Sequence, residues 1–158
     1  MENLHEHFMR EAIKQAVNAF DRGEVPVGAV MVYKNQIIAR GYNQMEMLHD
    51  PTAHAEMITM TSASEKLSEG SSKHRGSLEG CTLYVTMEPC PMCAGALVIA
   101  KCSNLVFGAR DLKAGACETL YRIPQDERLN HRLNVLGGVM ENDAKTLLRE
   151  FFLSLRKK

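Results

Sequence analysis

Two short segments of the sequence carry side chains that could bind a metal ion and move a proton. Residues 50–56 read DPTAHAE, which contains His54 and Glu56, and residues 88–93 read EPCPMC, which contains Cys90 and Cys93. One imidazole and two thiolates form a ligand set that zinc accepts, and three protein ligands leave a fourth position for water, as in catalytic zinc sites. The spacing therefore predicts a metal site built from His54, Cys90 and Cys93.

Glu56 is better suited to act as a base than as a ligand. Two thiolates cancel much of the charge of a zinc ion, so such an ion acidifies water less than one held by neutral imidazoles. A carboxylate beside the metal can accept the proton of that water. On a regular helix, residues i and i+2 point to different sides, so His54 and Glu56 can both face one ion only near a helix start.

Each part of this pattern has another interpretation when it is taken alone. The cysteine pair could be a redox pair, half of a structural zinc site or two buried thiols. A structural site needs a fourth ligand, and the remaining thiols are Cys81, Cys102 and Cys117. A redox pair leaves both His54 and Glu56 unexplained, and a zinc module that only binds RNA or protein leaves Glu56 unexplained. The combination therefore favours an enzyme.

The surrounding pattern predicts an α/β fold with helices on both faces of one sheet. Helical spacing and proline positions predict four helices, over 4–22, from Asp50-Pro51 to about Leu67, from Pro91 to 101, and over 142–158. Short apolar segments predict five strands, at 25–33, 36–43, 81–87, 104–109 and 132–139. Lys34 and Asn35 join the first two strands as a hairpin. The polar stretch 68–79 is expected to be an exposed loop.

Bulk properties indicate one domain over residues 1–158. The chain contains 19 basic and 19 acidic residues, so net charge gives no argument for nucleic acid binding, although it allows a local basic patch. The N-terminal segment has no apolar run, and no other stretch reaches membrane length. Five cysteines without a secretory signal indicate a reduced, cytoplasmic chain with no membrane association.

Longer segments resemble the bacterial tRNA-specific adenosine deaminases, a family within the cytidine deaminase-like superfamily. The matching segments are EVPVGAV at 24–30, HDPTAHAE at 49–56, LYVTMEPCPMCAGAL at 83–97, VFGARDLKAGA at 106–116 and LNHR at 129–132. The His-x-Glu and Pro-Cys-x-x-Cys motifs mark the superfamily of zinc deaminases. The HDPTAHAE, GARDLKAGA and NHR segments narrow the resemblance to the tRNA branch.

The resemblance implies a three-layer fold with a five-stranded mixed sheet, usually assembled as a homodimer with one Zn²⁺ per subunit. It implies that His54, Cys90 and Cys93 hold the zinc and that Glu56 shuttles protons. In that family a zinc-activated water attacks C6 of adenine and inosine is formed. The usual substrate is the wobble adenosine in the anticodon loop of an arginine tRNA.

The resemblance also assigns three substrate-binding residues. Asn43 matches an asparagine that hydrogen-bonds the nucleoside, and Asp111 and Lys113 match a loop that contacts neighbouring nucleotides. On local sequence alone, Asn43 could equally cap a strand end, and Asp111 could belong to a solvated charge pair with Arg110. The spacing of 36 residues between His54 and Cys90 is several residues longer than is usual in the family. A deaminase of free guanine, cytosine or their nucleosides, with the same metal site, is the alternative function.

Overall fold

The computed structural model describes residues 3–70 and 74–157. In chain order the elements are α1 (Leu4–Asp21), β1 (Gly28–Tyr33), β2 (Gln36–Tyr42), α2 (Ala55–Glu69), β3 (Cys81–Met87), α3 (Pro91–Ile99), β4 (Asn104–Ala109), β5 (Asn134–Leu136) and α4 (Glu141–Arg156). A single 3₁₀ turn, Ile123–Gln125, lies between β4 and β5. Among the helices of the described ranges, none has the length and apolar character needed to cross a bilayer.

The five strands form one mixed sheet in the order β2-β1-β3-β4-β5. β1 runs antiparallel to both β2 and β3, whereas β3, β4 and β5 are parallel. Lys34 and Asn35 join β1 to β2 with φ values of 50° and 61°. Positive φ at both central residues is typical of the two-residue turns that match the twist of a hairpin. The predicted hairpin and the predicted mixed sheet are both confirmed.

Alternation along the strands directs apolar side chains to both faces of the sheet. Val30, Tyr84 and Val106 pack with α1 on one face, where α4 lies beside α1. On the other face, their neighbours Met31 and Leu83 pack under α2 and α3. A strand buried on both faces needs apolar residues at nearly every position, which explains the continuous apolar segments of β1, β3 and β4. Helices on both faces are therefore confirmed.

The strand directions bring several connecting segments to one edge of the sheet. Pairing of Gly28 with Tyr42 and of Ala29 with Val85 places the start of β1 beside the ends of β2 and β3. Because β3 and β4 are parallel, β4 ends at the same edge. The segments before β1 and after β2, β3 and β4 therefore meet there, which is where parallel sheets usually bind ligands.

Some predicted bounds are wrong. α2 begins at Ala55, four residues after Pro51, and β5 covers only the three residues Asn134–Leu136. Within 68–79, α2 continues to Glu69, residues 71–73 lie outside the described part, and Leu78 is fully buried in the core. His74 is also buried, with its ring edge-on to Tyr33 at 5.4 Å. This stretch is therefore not an exposed loop throughout.

Candidate active site

His54 and Glu56 lie on either side of the first residue of α2. The Asp50 carboxylate accepts hydrogen bonds from the Thr52 backbone N–H at 2.8 Å and from the Thr52 hydroxyl at 2.7 Å. This turn brings the chain to His54, the N-cap of α2, which has extended backbone angles (φ −73°, ψ 151°). On a regular helix, His54 and Glu56 would point to different sides, but His54 is not helical and this constraint does not apply to it. The His54 and Glu56 side chains line the same cavity.

Cys90 and Cys93 lie at the start of α3. Cys90 is the N-cap, Pro91 occupies the first turn and Cys93 follows in that turn. The Sγ atoms of Cys90 and Cys93 each lie 3.6 Å from Nδ1 of His54. The helix N-terminus favours thiolates because its backbone N–H groups carry partial positive charge. The helix starts of α2 and α3 thus bring together the three predicted ligands.

The geometry of this group fits a tetrahedral metal ion. Zinc bonds to sulfur at about 2.3 Å and to nitrogen at about 2.0–2.1 Å, so its sulfur and nitrogen ligands lie about 3.5–3.6 Å apart. Both observed sulfur–nitrogen distances are 3.6 Å, and all three ligand atoms lie within 4.8 Å of one another. His54, Cys90 and Cys93 could therefore hold a metal ion with an open fourth position.

The protonation of the three side chains agrees with a cation-binding group. A hydrogen bond from the Cys93 thiol, supported by His54, lowers the pKa of Cys90 to about 4. The pKa of Cys93 is raised, because its proton is held by Cys90 and burial opposes a second thiolate. The hydrogen bond with Cys90 also raises the pKa of His54. Thiol and imidazole ligands bind a metal in their deprotonated forms, so an incoming cation would release these protons.

The other three cysteines do not join the group. In the described part of the chain, His54, Cys90 and Cys93 form the one cluster of at least three possible ligand side chains. The Cys102 thiol points to the carbonyl of Cys81 at 3.4 Å, and the Cys117 thiol lies 3.9 Å from the carbonyl of Pro89. All three are fully buried, and burial raises the pKa of each. They are core thiols, and the arrangement disfavours a four-ligand structural site.

Glu56 is a buried carboxyl next to these ligands. Only 4% of the residue is exposed, and burial raises the pKa of Glu56 to about 7. A hydrogen bond from its own backbone N–H and the neighbouring charge of His54 partly oppose that rise. A bound divalent cation would stabilise the carboxylate further. A group of this pKa can both accept and donate a proton near neutral pH.

A cavity of about 210 Å³ opens beside these groups. Its apolar lining consists of Val25, Val27, Met45, Ala55, Met87 and Ala114. Asn43 and Asp111 also line it, so the structure brings two of the three predicted substrate-binding residues to the candidate site. Lys113 does not line the cavity; it lies on a neighbouring surface with Phe152, Leu155 and Arg156. Apolar walls with a few polar groups are typical of pockets for small, flat ligands.

Sequence reasoning missed two buried carboxylates, of which Glu88 lines the cavity and Glu24 lies next to Val25 on its wall. Glu24 accepts hydrogen bonds from the backbone N–H groups of Glu46 at 3.0 Å and Met47 at 2.7 Å. Burial opposes ionisation of Glu88, but hydrogen bonds from Thr119, Glu118 and Cys117 outweigh it and hold the pKa of Glu88 below its usual value. The available signal was an acidic residue placed directly beside an apolar strand, at Glu88 immediately after β3.

Comparison with known proteins gives consistent matches over nearly the whole chain. The model of the MafB19-like deaminase family matches residues 3–156. A tRNA-specific adenosine deaminase of Bacillus subtilis (strain 168) is 47% identical over 153 residues, which are 97% of this chain and 91% of that protein. A solved structure from studies of A-to-I editing by tRNA:A34 deaminases at the wobble position is 39% identical, with a TM-score of 0.81, over 90% of this chain and 99% of that one.

A guanine deaminase shares the fold at lower similarity. The enzyme of Nitrosomonas europaea is 23% identical to this chain, with a TM-score of 0.77, over 92% of this chain and 83% of that one. Sequence identity this low shows that the two proteins share a fold and does not show a shared substrate. The tRNA-related proteins are similar to this chain in both sequence and fold.

Proposed function

This chain belongs to the MafB19-like deaminase family and, within it, to the tRNA-specific adenosine deaminases, and we propose that it converts adenosine to inosine at the wobble position of a tRNA anticodon loop. The observation that carries the proposal is the buried Glu56 carboxyl beside the His54, Cys90 and Cys93 ligand atoms at the wall of one cavity. Hydrolytic deamination consumes one water and releases one ammonia.

In this proposal the side chains divide the chemistry between them. His54, Cys90 and Cys93 hold one Zn²⁺ per subunit, which when bound supplies a Lewis acid that makes water a competent nucleophile at neutral pH. Glu56 is the catalytic residue: it accepts one proton from the attacking water and delivers it to N1 of adenine. It then accepts the remaining proton of the hydroxyl now bonded to C6 and delivers it to the amino group, so that ammonia leaves and inosine remains. Its burial keeps bulk water from competing for these proton transfers.

The cavity fits a base that has left its stack. A wobble adenosine in an anticodon loop is already splayed, so its extrusion costs less than extrusion from a duplex. We propose that Asn43 hydrogen-bonds the nucleoside; its amide nitrogen donates to the carbonyl of Val25 at 3.4 Å, which fixes the side chain at the cavity wall. Asp111, on the same wall, contacts a neighbouring nucleotide.

The surface beside the cavity favours RNA over a free base. Lys113 and Arg156 are cationic and exposed, and Phe152, which lines the same surface, is 47% exposed, which suits phosphate contacts and base stacking. Phe151, by contrast, is buried against Phe20 and belongs to the core. A deaminase of free guanine or cytosine would need no cationic surface of this kind beside its cavity. We propose an arginine tRNA as the partner on the basis of the family to which the chain belongs.

Assembly and location complete the proposal. We propose a single deaminase domain over residues 1–158 that acts as a cytoplasmic homodimer. Apolar side chains of high exposure support an interface between copies, because Ile99 of α3 is 83% exposed and Leu120 and Tyr121 are 50% and 55% exposed.

Sedimentation velocity at micromolar concentration is expected to give twice the chain mass of 17.6 kDa. A monomer at that concentration would contradict the dimer.

The proposed activity can be tested with a panel of substrates. Purified protein is offered an arginine tRNA anticodon stem-loop, the same stem-loop annealed to a complementary strand, and free adenosine, guanine and cytosine. Inosine and ammonia are expected in equal amounts from the open stem-loop, with much less from the annealed form because its target base is paired and stacked. Ammonia from guanine or cytosine, with none from the stem-loop, would establish the alternative function.

Measurement of stem-loop affinity at several salt concentrations tests the role of Lys113. Lys113→Gln is expected to weaken stem-loop binding and to lower the slope of log affinity against log salt by about 1 if the side chain contacts one phosphate. Metal content is expected to stay at the wild-type level, and an unchanged salt slope would show that Lys113 contacts no phosphate.

A further inference from the structure

Glu88 has an unusual set of hydrogen-bond partners for a residue next to a candidate ligand. It follows β3 directly and is 3% exposed. One carboxylate oxygen accepts the backbone N–H of Asp111 at 3.1 Å and the hydroxyl of Thr119 at 2.5 Å. The other accepts three consecutive backbone N–H groups, those of Cys117 at 3.1 Å, Glu118 at 2.8 Å and Thr119 at 2.9 Å.

These contacts organise the segment that follows β4. Residues 110–122 contain no helix or strand, so their backbone N–H groups need partners from elsewhere. Three successive N–H groups around one oxygen form an anion-binding nest, and the anion here is the protein's own carboxylate. The packing is close: a Cβ on Gly115 would lie 2.5 Å from the Glu88 carboxyl carbon. The Ala116 N–H donates to the carbonyl of Pro89 at 2.9 Å, which ties the segment to the β3–α3 connection a second time.

The organised segment forms part of the cavity wall. Asp111 and Ala114 line the cavity together with Glu88 itself and with His54, Glu56 and Cys90. The Asp111 carboxylate in turn accepts the backbone N–H groups of Lys113 at 3.0 Å and Ala114 at 3.1 Å. Because the Asp111 N–H is itself bound to Glu88, the position of residues 111–114 depends on that carboxylate.

We propose that Glu88 is a positioning residue that holds the segment 111–119 so that Asp111 and Ala114 form the substrate-contacting wall of the cavity. The inference rests on the proposed function, since the wall is taken to contact the nucleotides that flank the target base. Five donors occupy both carboxylate oxygens, so Glu88 has little capacity left for a substrate hydrogen bond. Its loss therefore impairs substrate binding, through the wall, more than it impairs the proton transfers of Glu56.

The first test is Glu88→Gln. The amide keeps the shape of the side chain, but its NH₂ group meets backbone donors that need an acceptor. KM for the anticodon stem-loop is expected to rise about 10- to 100-fold, since buried donors lose a charged partner, while kcat changes less than about threefold and metal content stays at that of the wild-type protein. Equal KM values in variant and wild type, or a loss carried mainly by kcat or by lost metal, would overturn the proposal.

Variants of Thr119 test the same contact with less risk to folding. Thr119→Val removes only the hydroxyl that binds Glu88, and KM is expected to rise about fivefold, the effect of one hydrogen bond. Thr119→Ser keeps the hydroxyl and is expected to restore the wild-type KM. A wild-type KM in Thr119→Val, or an equal defect in Thr119→Ser, would refute the positioning role even if Glu88→Gln fails to fold.

Glu118→Gln is the matched control for lost charge. It removes an acidic group from the same segment, but its carboxylate pairs with Arg110 at 3.2 Å on the surface and supports none of the backbone donors. No rise in KM is expected, and a rise equal to that of Glu88→Gln would show that general charge loss is the cause. A wild-type protein inactive on the stem-loop would instead refute the proposed function, so the two failures are distinguishable.

Discussion

Replacing Glu56 with Gln is expected to lower kcat on the anticodon stem-loop by about 10²- to 10⁴-fold, the usual contribution of a general acid–base group. The amide occupies the same buried space but cannot accept the proton of a water nucleophile or return it to the base. Because Glu56 is a base in this proposal and not a ligand, metal content is expected to remain at the wild-type level. Single-turnover inosine formation and metal analysis on the same preparation measure both quantities.

The control for Glu56→Gln lies on the same helix. Glu65 is exposed on α2 and does not line the cavity, so Glu65→Gln changes the same functional group at the surface. That variant is expected to keep wild-type kcat. Wild-type turnover in Glu56→Gln would exclude the general-base role, and loss of metal from that variant would show that Glu56 is a ligand.

Replacing Cys93 with Ala is expected to abolish both metal binding and turnover. The variant leaves two of the three ligands, and a buried site with two protein ligands no longer competes with water and buffer for zinc. Activity is expected to fall by at least about 10³-fold, because the nucleophile is no longer activated. Metal content measured after dialysis and the rate of ammonia release report the two losses separately.

Thermal unfolding gives a further readout of the Cys93 variant that does not depend on activity. Metal that binds only the folded state at about 1,000 times its Kd contributes about 4 kcal/mol, so a chelator is expected to lower the wild-type Tm by about 10 °C. Cys93→Ala is expected to show no chelator shift. Cys102→Ala, which removes a buried thiol outside the group, is expected to unfold at lower temperature but to keep the shift. A full metal complement in Cys93→Ala would identify another ligand, and Cys117 would be the first to test.

The grouping of His54, Cys90 and Cys93 could be predicted from the sequence because each part of the group is local. Cys90 and Cys93 lie in one helical turn after a proline, and His54 and Glu56 lie within three residues, so spacing alone limits where their side chains can point. The start of α2 was misplaced because Asp50-Pro51 has the residue types of a helix N-terminus. In the structure the Asp50 carboxylate binds Thr52 instead, which makes a turn and delays the helix to Ala55. That delay is what lets His54 and Glu56 face one cavity.

Other features could not be predicted because their partners are distant in sequence. Glu88 binds backbone groups 23 to 31 residues away in a segment without periodicity, and Glu24 binds groups 22 and 23 residues away. Leu78 lies in a polar stretch but is buried in the core. The average composition of that stretch does not reveal a single buried residue. The motif places Lys113 beside Asp111, yet Asp111 lines the cavity and Lys113 lines the surface that contains Phe152 and Arg156.

Among the described strands, β1 is the one antiparallel strand in an otherwise parallel sheet, and this arrangement affects how proteins of this fold can diversify. The candidate metal ligands sit on helix starts that pack directly on the core, whereas the residues proposed to read the substrate lie on strand exits held by buried carboxylates. Insertions or substitutions in the segments that follow the strands can change which substrate enters the cavity, while the candidate metal ligands and Glu56 keep their positions. Proteins of this architecture can therefore change their substrate while they keep the same catalytic groups.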